Sequence, residues 1–362
     1  MIYFDQAATT KIHPKVSEWI KEHLDSDWMN PSSLYAAAQK NDIEACRKKI
    51  LGMIGADLDD YIVFTSGGSE ANALAINGAD LFITTEIEHD SILNCEMGAR
   101  LSVDSAGLIS DVDFERIRNI SDMMRPWDIL SIQYGNNEIG TIQDISAIRN
   151  ACPECLLHVD AVQAIGHMPI NVKKLGIDML SASAHKFGGP KGIGFLYVSK
   201  KAFPYIKPIV FGTQNNSLRG STYNYIDIMA MTLALELAFD KMTDNLLQTC
   251  RVRMAIYDSM AKIPCAHING TIDFKKRLPG NLNYRFDGYR GEELQTFLAE
   301  NDIYVSTGSA CNTGKTSHVL KAIGLTEEEA NSSIRITFNE TNTVSEALTL
   351  FKTISQGLEL LK

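Results

Sequence analysis

Ser181-Ala182-Ser183-Ala184-His185-Lys186 completes an apolar segment of the chain and places a lysine directly after it. An earlier apolar segment, Leu156 to Val159, runs in the same way into Asp160-Ala161-Val162-Gln163. Short apolar runs of this kind are typical of buried strands. Because open α/β sheets collect their ligands where strands end, we expect Lys186 and Asp160 to face one site.

A lysine amine close to a carboxylate is the pair that pyridoxal phosphate (PLP) chemistry requires. The amine forms a Schiff base with the cofactor, and the carboxylate keeps the pyridine nitrogen protonated so that the ring accepts electrons. A lysine after a strand is also typical of a solvated loop. The interpretation of Lys186 therefore depends on the motifs that accompany it.

Apolar strands alternate with amphipathic helices through much of the chain, which predicts an α/β fold with a mostly parallel sheet covered on both faces. The predicted strands are Ile62–Thr65, Leu81–Thr84, Ile129–Ile132, Leu156–Val159, Met179–Ser181 and Phe195–Val198. A long helical pattern from Ile226 to Met260 precedes a mixture of short strands and helices. We therefore predict a large domain over residues 13–243 and a smaller α+β domain formed by residues 1–12 and 244–362.

The composition is that of an ordinary globular protein, with 362 residues of which 45% are hydrophobic and 22% charged. A net charge of -10 argues against nucleic acid or an anionic membrane as a main partner, since both need a basic face. The start, Met1 to Asp5, lacks a signal segment, and the apolar stretch Ile228 to Leu235 is too short to span a bilayer. Seven scattered cysteines indicate reduced thiols, and we expect a cytoplasmic protein.

A glycine-rich turn, Thr65-Ser66-Gly67-Gly68-Ser69-Glu70, joins a predicted strand to a predicted helix. Free N–H groups at the start of the helix and the Ser69 hydroxyl can bind a phosphate, while the glycines permit close approach. The same residues also fit a simple capped turn. The placement of this turn with Asp160 and Lys186 at strand ends favours the phosphate site.

Three further polar side chains are candidates for contact with a cofactor or substrate. His89 opens a helix after a strand, where an imidazole can stack on a ring and transfer protons, or can simply cap the helix. Asn137 can offer an amide to a ligand, although asparagine-rich turns are common without one. Arg335 lies in a strand pattern, where it can bind a substrate carboxylate or form a structural salt bridge.

Two cysteine-containing segments differ in their expected chemistry. Cys311 lies in a run of small polar residues, Ser306 to Lys315, where its thiol can be exposed and act as a nucleophile. The alternative is an ordinary free cysteine in a loop. Cys152-Pro153-Glu154-Cys155 has the spacing of a redox or half-zinc site. Without a second cysteine pair, we interpret it as a turn that ends a helix.

Together these motifs resemble the cysteine desulfurases, which are class V aminotransferases with the fold of type I PLP enzymes. The similarity runs nearly from end to end of the chain. The matching segments are Phe4–Thr10, Asn30–Ser33, Phe64–Asn72, Glu88–His89, Asn136–Gly140, His158–Gln163, Ser183–Gly194, Gly308–Cys311 and Ser332–Arg335. The Gly308–Cys311 segment, Gly-Ser-Ala-Cys, separates desulfurases from class V relatives that lack a nucleophilic thiol at that place.

The resemblance implies a fold type I PLP transferase with a seven-stranded type of sheet in the large domain. It implies that Lys186 is the Schiff-base lysine, Asp160 the partner of the pyridine nitrogen, and His89 the stacking acid/base. Gln163 is then the donor to the phenolic oxygen of the cofactor, and Asn137 and Arg335 hold the substrate carboxylate. The implied phosphate ligands are Gly68, Ser69, Ser183, His185 and, from the second subunit of a dimer, Thr222.

The implied reaction converts L-cysteine to L-alanine and leaves a persulfide on Cys311. The implied partners are a second copy of the chain and a sulfur-acceptor protein, either an iron-sulfur scaffold or a tRNA-thiolation factor. We expect no metal site and no direct binding of nucleic acid or membrane. Two alternatives stay open: another class V PLP enzyme, such as a selenocysteine or cysteine-sulfinate lyase or an aminotransferase, and a non-catalytic assembly partner with the PLP fold.

The chain departs from the family pattern at a few places. The segment Phe211 to Thr222 replaces a glycine-rich run, Met29 stands where a glycine is usual, and Tyr35 where a histidine is usual. These differences leave the implied cofactor chemistry intact. They bear on the identity of the sulfur acceptor, on the turnover rate and on the contact of Thr222 with the phosphate.

Overall fold

The structure, a computed structural model, describes residues 1–95, 98–125, 127–308 and 316–361. The strands are β1 (Ile2–Tyr3), β2 (Tyr61–Thr65), β3 (Phe82–Thr85), β4 (Gly98–Leu101), β5 (Ile129–Gln133), β6 (Leu156–Asp160), β7 (Met179–Ser183), β8 (Gly194–Val198), β9 (Ala266–Ile268), β10 (Asn281–Phe286), β11 (Ile303–Tyr304) and β12 (Ser333–Thr337). The helices are α1 (Pro14–His23), α2 (Ala37–Met53), α3 (Gly68–Ile76), α4 (Asp90–Leu93), α5 (Asp111–Ser121), α6 (Ile145–Ala151), α7 (Val172–Leu175), α8 (Tyr225–Asp240), α9 (Met242–Met260), α10 (Gly291–Glu300), α11 (His318–Ala322), α12 (Glu327–Asn331) and α13 (Val344–Leu360).

A seven-stranded sheet forms the centre of the fold, in the order β2-β8-β7-β6-β5-β3-β4. All neighbouring strands are parallel except β8, which is antiparallel to both β2 and β7. Every residue of β5, β6, β7 and β8 is buried, as expected for strands covered on both faces. The predicted α/β fold with a mostly parallel sheet is therefore confirmed.

The register of β6 and β7 places the predicted cofactor residues at one edge of the sheet. Asp160, the last residue of β6, pairs with Ser181, and β7 continues to Ser183. A single 3-10 turn, Ala184–Lys186, follows directly and carries the lysine. The parallel direction of the two strands thus brings their carboxyl ends, and both side chains, to the same edge.

A second sheet, of order β12-β10-β9, has its own apolar core. Helices α9, α10 and α13 contribute to this core, and Phe4 from the start of the chain packs into it. The helical pattern from Ile226 to Met260 forms two helices, because Lys241 leaves the helical conformation (φ -106°, ψ 11°) between α8 and α9. The division at residue 243 stays a prediction.

The cysteines within the described ranges, six in all, are free. Cys152 caps the end of α6, and Cys155 precedes β6, so the prediction of a helix-ending turn is confirmed. Across the described ranges, no group of three or more His, Cys, Asp or Glu side chains is arranged to hold a metal ion. The helices in those ranges include none that is long and apolar enough to cross a membrane.

Candidate active site

A cavity of about 290 Å³ lies at the carboxyl ends of the central strands. Ten of the twelve residues predicted to form the site line it: Gly68, Ser69, His89, Asn137, Asp160, Gln163, Ser183, His185, Lys186 and Arg335. Thr222 is exposed and does not line this cavity. Cys311 lies outside the described residues. The structure therefore brings together most of the predicted site, while the roles of its members stay predictions.

The carboxylate of Asp160 is held by one hydrogen bond on each oxygen. The side-chain amide of Asn72 donates to Oδ2 at 2.7 Å, and the backbone N–H of Val162 donates to Oδ1 at 3.0 Å. Asp160 is 2% exposed. A buried carboxylate held in this way has a fixed direction, which is what a partner of a ring nitrogen needs.

The amine of Lys186 lies against the first residues of the chain. Its Nζ donates hydrogen bonds to the carbonyl oxygens of Ala7 and Ala8, at 2.5 and 3.0 Å. The side chain of Gln163 donates to the same Ala7 oxygen at 3.0 Å, which leaves its second amide hydrogen for a ligand. The N-terminal segment therefore forms one wall of the cavity and positions both predicted cofactor residues.

The start of α3 forms another part of the cavity wall. Its N-cap residue, Gly67, offers no side-chain cap, so backbone N–H groups of the first turn stay available for an anion. A Cβ at Gly68 would lie 2.6 Å from Cγ2 of Val162, so only glycine fits at this place. The Ser183 hydroxyl lies beside Gly67 and Ser69 also lines the cavity, so this end has the donors that a phosphate requires.

Two imidazoles of the site have defined hydrogen-bond partners. In His89, Nδ1 accepts from the backbone N–H of Ser91 at 3.1 Å, so the neutral ring carries its proton on Nε2. In His185, Nδ1 lies 3.1 Å from the hydroxyl of Thr9. Burial, aided by the charges of Lys186 and Lys191, lowers the pKa of His185 to about 4, so that this ring is neutral at pH 7.

Arg335 is almost fully buried, and its guanidinium already has two partners. One Nη donates to Oδ1 of Asp5 at 2.8 Å, and the other donates to the backbone oxygen of Asn137 at 3.2 Å. Its Nε has no partner among the described residues. Asp5 thus orients the guanidinium, and part of its donor capacity is left for a substrate carboxylate.

A model of the family described as aminotransferase class V matches residues 2–350. The chain belongs to the class V aminotransferase family. The cysteine desulfurase IscS of Clostridium botulinum is 38% identical to it over 366 residues, 94% of this chain and 90% of the relative. A solved NifS-like protein from Rickettsia africae ESF-5 has 32% identity and a TM-score of 0.91, covering 99% of both chains. A structure of SspA in complex with cysteine has 31% identity and a TM-score of 0.78, covering 93% of this chain and 99% of SspA.

These similarities confirm the predicted family and the predicted fold type I architecture. Class V aminotransferases of the cysteine desulfurase type use PLP, and the cavity fits that cofactor. It has a lysine, a buried carboxylate held by two donors, and an uncapped helix start with a glycine that a Cβ would fill. Nine of the ten predicted cofactor residues line the cavity and would hold PLP, Thr222 being the exception, and Asn72 supports Asp160 through a hydrogen bond.

Several polar residues of this class V site were not among the predicted ones. Six of them line the cavity, and a seventh, Asp5, stands behind Arg335. The six are Asn72, Glu88, Asp90, Gln133, Glu138 and His318. Asn72 is the one of these residues with a usable sequence signal, since it is a polar residue among the apolar residues of α3.

The departing segment Phe211 to Thr222 contacts the start of α3 through one ion pair. Arg219 Nε lies 2.8 Å from Oε1 of Glu70, and this pair is largely shielded from solvent. Burial raises the pKa of Glu70, but the hydrogen bonds from Arg219 and from the Ser66 N–H outweigh it and lower the pKa below its ordinary value. The carboxylate is therefore charged. The ion pair compensates the negative charge of Glu70 next to the helix start that is predicted to bind phosphate.

Proposed function

We propose that this protein is a PLP-dependent cysteine desulfurase, which converts L-cysteine to L-alanine and passes the sulfur on as a persulfide. The observation that carries the proposal is the cavity in which Lys186, Asp160, His89 and Arg335 converge, in a chain similar to IscS along 94% of its length. The cysteine complex of SspA supports L-cysteine as the substrate.

PLP, when bound, supplies a ring that accepts electrons from the substrate. Lys186 provides the amine for the cofactor, and the charge of Asp160 keeps the ring nitrogen protonated. His89 moves a proton at Nε2, because the Ser91 N–H occupies its Nδ1. Arg335 and Asn137 hold the substrate carboxylate, with Asp5 fixing the arginine.

Cys311 is the proposed nucleophile and acceptor of the sulfur, although it lies outside the described residues. Its segment follows Gly308, and Ser317 comes two residues after the segment ends. Both Gly308 and Ser317 lie against Glu138. The Ser317 hydroxyl donates to Glu138 Oε2 at 2.5 Å, and a Cβ at Gly308 would lie 3.1 Å from the same oxygen. The two flanks of the segment are therefore anchored at the wall of the cavity.

A homodimer is part of the proposal, with Thr222 completing the phosphate site of the partner. Thr222 is exposed and away from the cavity of its own chain. Large apolar side chains that are exposed, among them Trp28, Leu34, Tyr35 and Phe211, support an interface with another protein surface. Sedimentation should give a dimer, and Thr222→Ala should weaken PLP binding without dissociating that dimer.

The proposed recipient of the persulfide sulfur is an acceptor protein, either an iron-sulfur scaffold or a tRNA-thiolation factor. The six free cysteines of the described residues support a reducing compartment, and we propose the cytoplasm. Incubation with isotope-labelled cysteine and each class of acceptor should show to which of them the label passes.

The activity is tested by incubating purified, PLP-loaded protein with L-cysteine. Intact mass should increase by one sulfur atom, and alanine should accumulate when a reductant is present. The other class V activities share the cavity, so L-selenocysteine, cysteine sulfinate and an amino-group acceptor belong in the same assay. A protein that acts on one of these and makes no persulfide from L-cysteine would overturn the proposal.

A further inference from the structure

Two carboxyl groups are buried together in the wall of the cavity. Glu88 is 1% exposed and Asp160 is 2% exposed, and the two interact electrostatically. Neighbouring buried carboxyls resist carrying two negative charges, so one of them tends to keep a proton. The hydrogen bonds of each group indicate which one it is.

The donors are distributed unequally between the two groups. Asp160 receives one donor on each oxygen, from Asn72 and from the Val162 N–H. Glu88 receives both of its donors on Oε1, from the Thr85 hydroxyl at 2.7 Å and the Gln133 N–H at 2.9 Å. Its Oε2 is buried and has no partner among the described residues.

A buried carboxylate oxygen without a donor leaves negative charge poorly compensated. Protonation removes that charge, and burying one unpaired neutral O–H costs less than burying an uncompensated charge. We propose that Glu88 is a neutral carboxylic acid at working pH, with its proton on Oε2, and that Asp160 carries the charge. Glu88 is then a positioning residue, because its neutrality preserves Asp160 as the partner of the ring nitrogen. The positioning role of Glu88 rests on the proposed function. The protonation state of Glu88 does not depend on that function.

The other groups near Glu88 are consistent with this assignment. Burial raises the pKa of Glu88 to about 8, and the charge of Asp160 adds to that rise against the hydrogen bonds of Gln133 and Thr85. From α11, His318 lies with Nε2 3.1 Å from the backbone carbonyl oxygen of Glu88. The remaining titratable groups that line the same cavity are His89, Asp90, Glu138, His185, Lys186 and Arg335.

Loss of the Glu88 proton would place a second negative charge beside Asp160. The repulsion between the two charges disturbs the position of the Asp160 carboxylate, which then supports the ring nitrogen less well. Turnover should therefore fall as Glu88 ionises. The expected fall is about tenfold between pH 7 and pH 9 for a group with a pKa of about 8.

Infrared difference spectroscopy tests the protonation state directly on the PLP-loaded protein. The wild type at pH 7 should show the carbonyl band of a buried protonated carboxyl, which disappears as the pH rises through about 8. Glu88→Gln should lack this band. The matched control is Glu70→Gln, which removes an ion-paired glutamate and should leave the band unchanged. Absence of the band in the wild type at pH 7, or its persistence in Glu88→Gln, would overturn the proposal.

The functional consequence is read as the ratio of turnover at pH 9 to turnover at pH 7. This ratio should be about tenfold higher in Glu88→Gln than in the wild type, since glutamine cannot ionise. An identical ratio in both proteins would refute the positioning role. If the wild type forms no persulfide from L-cysteine, the proposed function fails, while the infrared result still decides the state of Glu88.

Discussion

The side-chain amide of Asn72 donates a 2.7 Å hydrogen bond to Oδ2 of Asp160, and both residues line the cavity. Asn72 comes from α3 and Asp160 from β6, so the bond joins the helix that offers its N-terminus to the cavity with the strand that carries the carboxylate. The same amide nitrogen also donates to the Ser91 hydroxyl at 2.9 Å, while the Oδ1 of Asn72 has no partner among the described residues.

Asn72→Ala should therefore weaken PLP binding and turnover. A hydrogen bond to a charged group contributes about 1.5–3 kcal/mol, which corresponds to roughly tenfold to a hundredfold. Asp160→Ala should have a larger effect, because it removes the charge itself. Fluorescence titration of PLP and steady-state kinetics measure both variants. Normal PLP affinity in Asn72→Ala would show that the Val162 N–H alone suffices to hold the carboxylate.

Lys186→Ala should abolish turnover while PLP still binds without a covalent bond, since the donors at the start of α3 are unchanged. Borohydride treatment of the wild type should attach the cofactor permanently to the peptide that contains Lys186. Mass spectrometry of the digest locates the label. A colourless protein that stays unlabelled after addition of PLP would contradict the assignment of the cavity.

Asp5→Asn should raise the KM for L-cysteine severalfold with a smaller effect on kcat, because Arg335 loses the partner that orients it. Arg335→Lys should raise the KM by about tenfold or more, since an ammonium cannot bind a carboxylate bidentately. Initial rates over a range of L-cysteine concentrations separate the two parameters. A lower kcat with an unchanged KM in Asp5→Asn would mean that Asp5 acts on the chemical step.

The stability of the protein should fall in acid because of His158. This residue is fully buried between the hydroxyls of Ser131 and Ser181, and its burial lowers its pKa to about 3. Between that value and about 6.5 the unfolded chain binds a proton that the folded chain excludes, so stability decreases as the pH falls. The slope from this group reaches about 1.4 kcal/mol per pH unit.

Urea unfolding of His158→Gln should show lower stability at pH 7 and a shallower loss between pH 6 and pH 4. The lower stability reflects poorer packing and hydrogen bonding at a buried site. A slope equal to that of the wild type would show that the acid sensitivity comes from other groups.

The main sheet and most of the cavity could be predicted because their signals are local. The buried strands β5 to β8 are continuous apolar runs, and the functional side chains follow directly where those runs end. By contrast, β4 was missed, because its residues Ala99 and Arg100 are exposed at the edge of the sheet. An edge strand lacks the apolar run that marks a central one.

The supporting residues could not be predicted because their partners are distant in the chain. Asp5 meets Arg335 only when the N-terminal segment lies beside β12, and its bridge to Thr337 has no local signature. In the sequence, Glu88 stands directly before the helix start predicted at His89. Its burial depends on strands that lie beside it only in the folded structure. Such contacts follow from the tertiary fold, which local patterns do not specify.

Cys311→Ser tests the central claim most directly. The serine variant retains the cavity residues, so it should bind PLP and still change its absorption spectrum when L-cysteine is added. Intact mass after a single turnover should show the gain of one sulfur atom in the wild type and none in the variant, with little alanine formed. A Cys311→Ser protein that releases sulfide and alanine from L-cysteine at the wild-type rate would contradict the account.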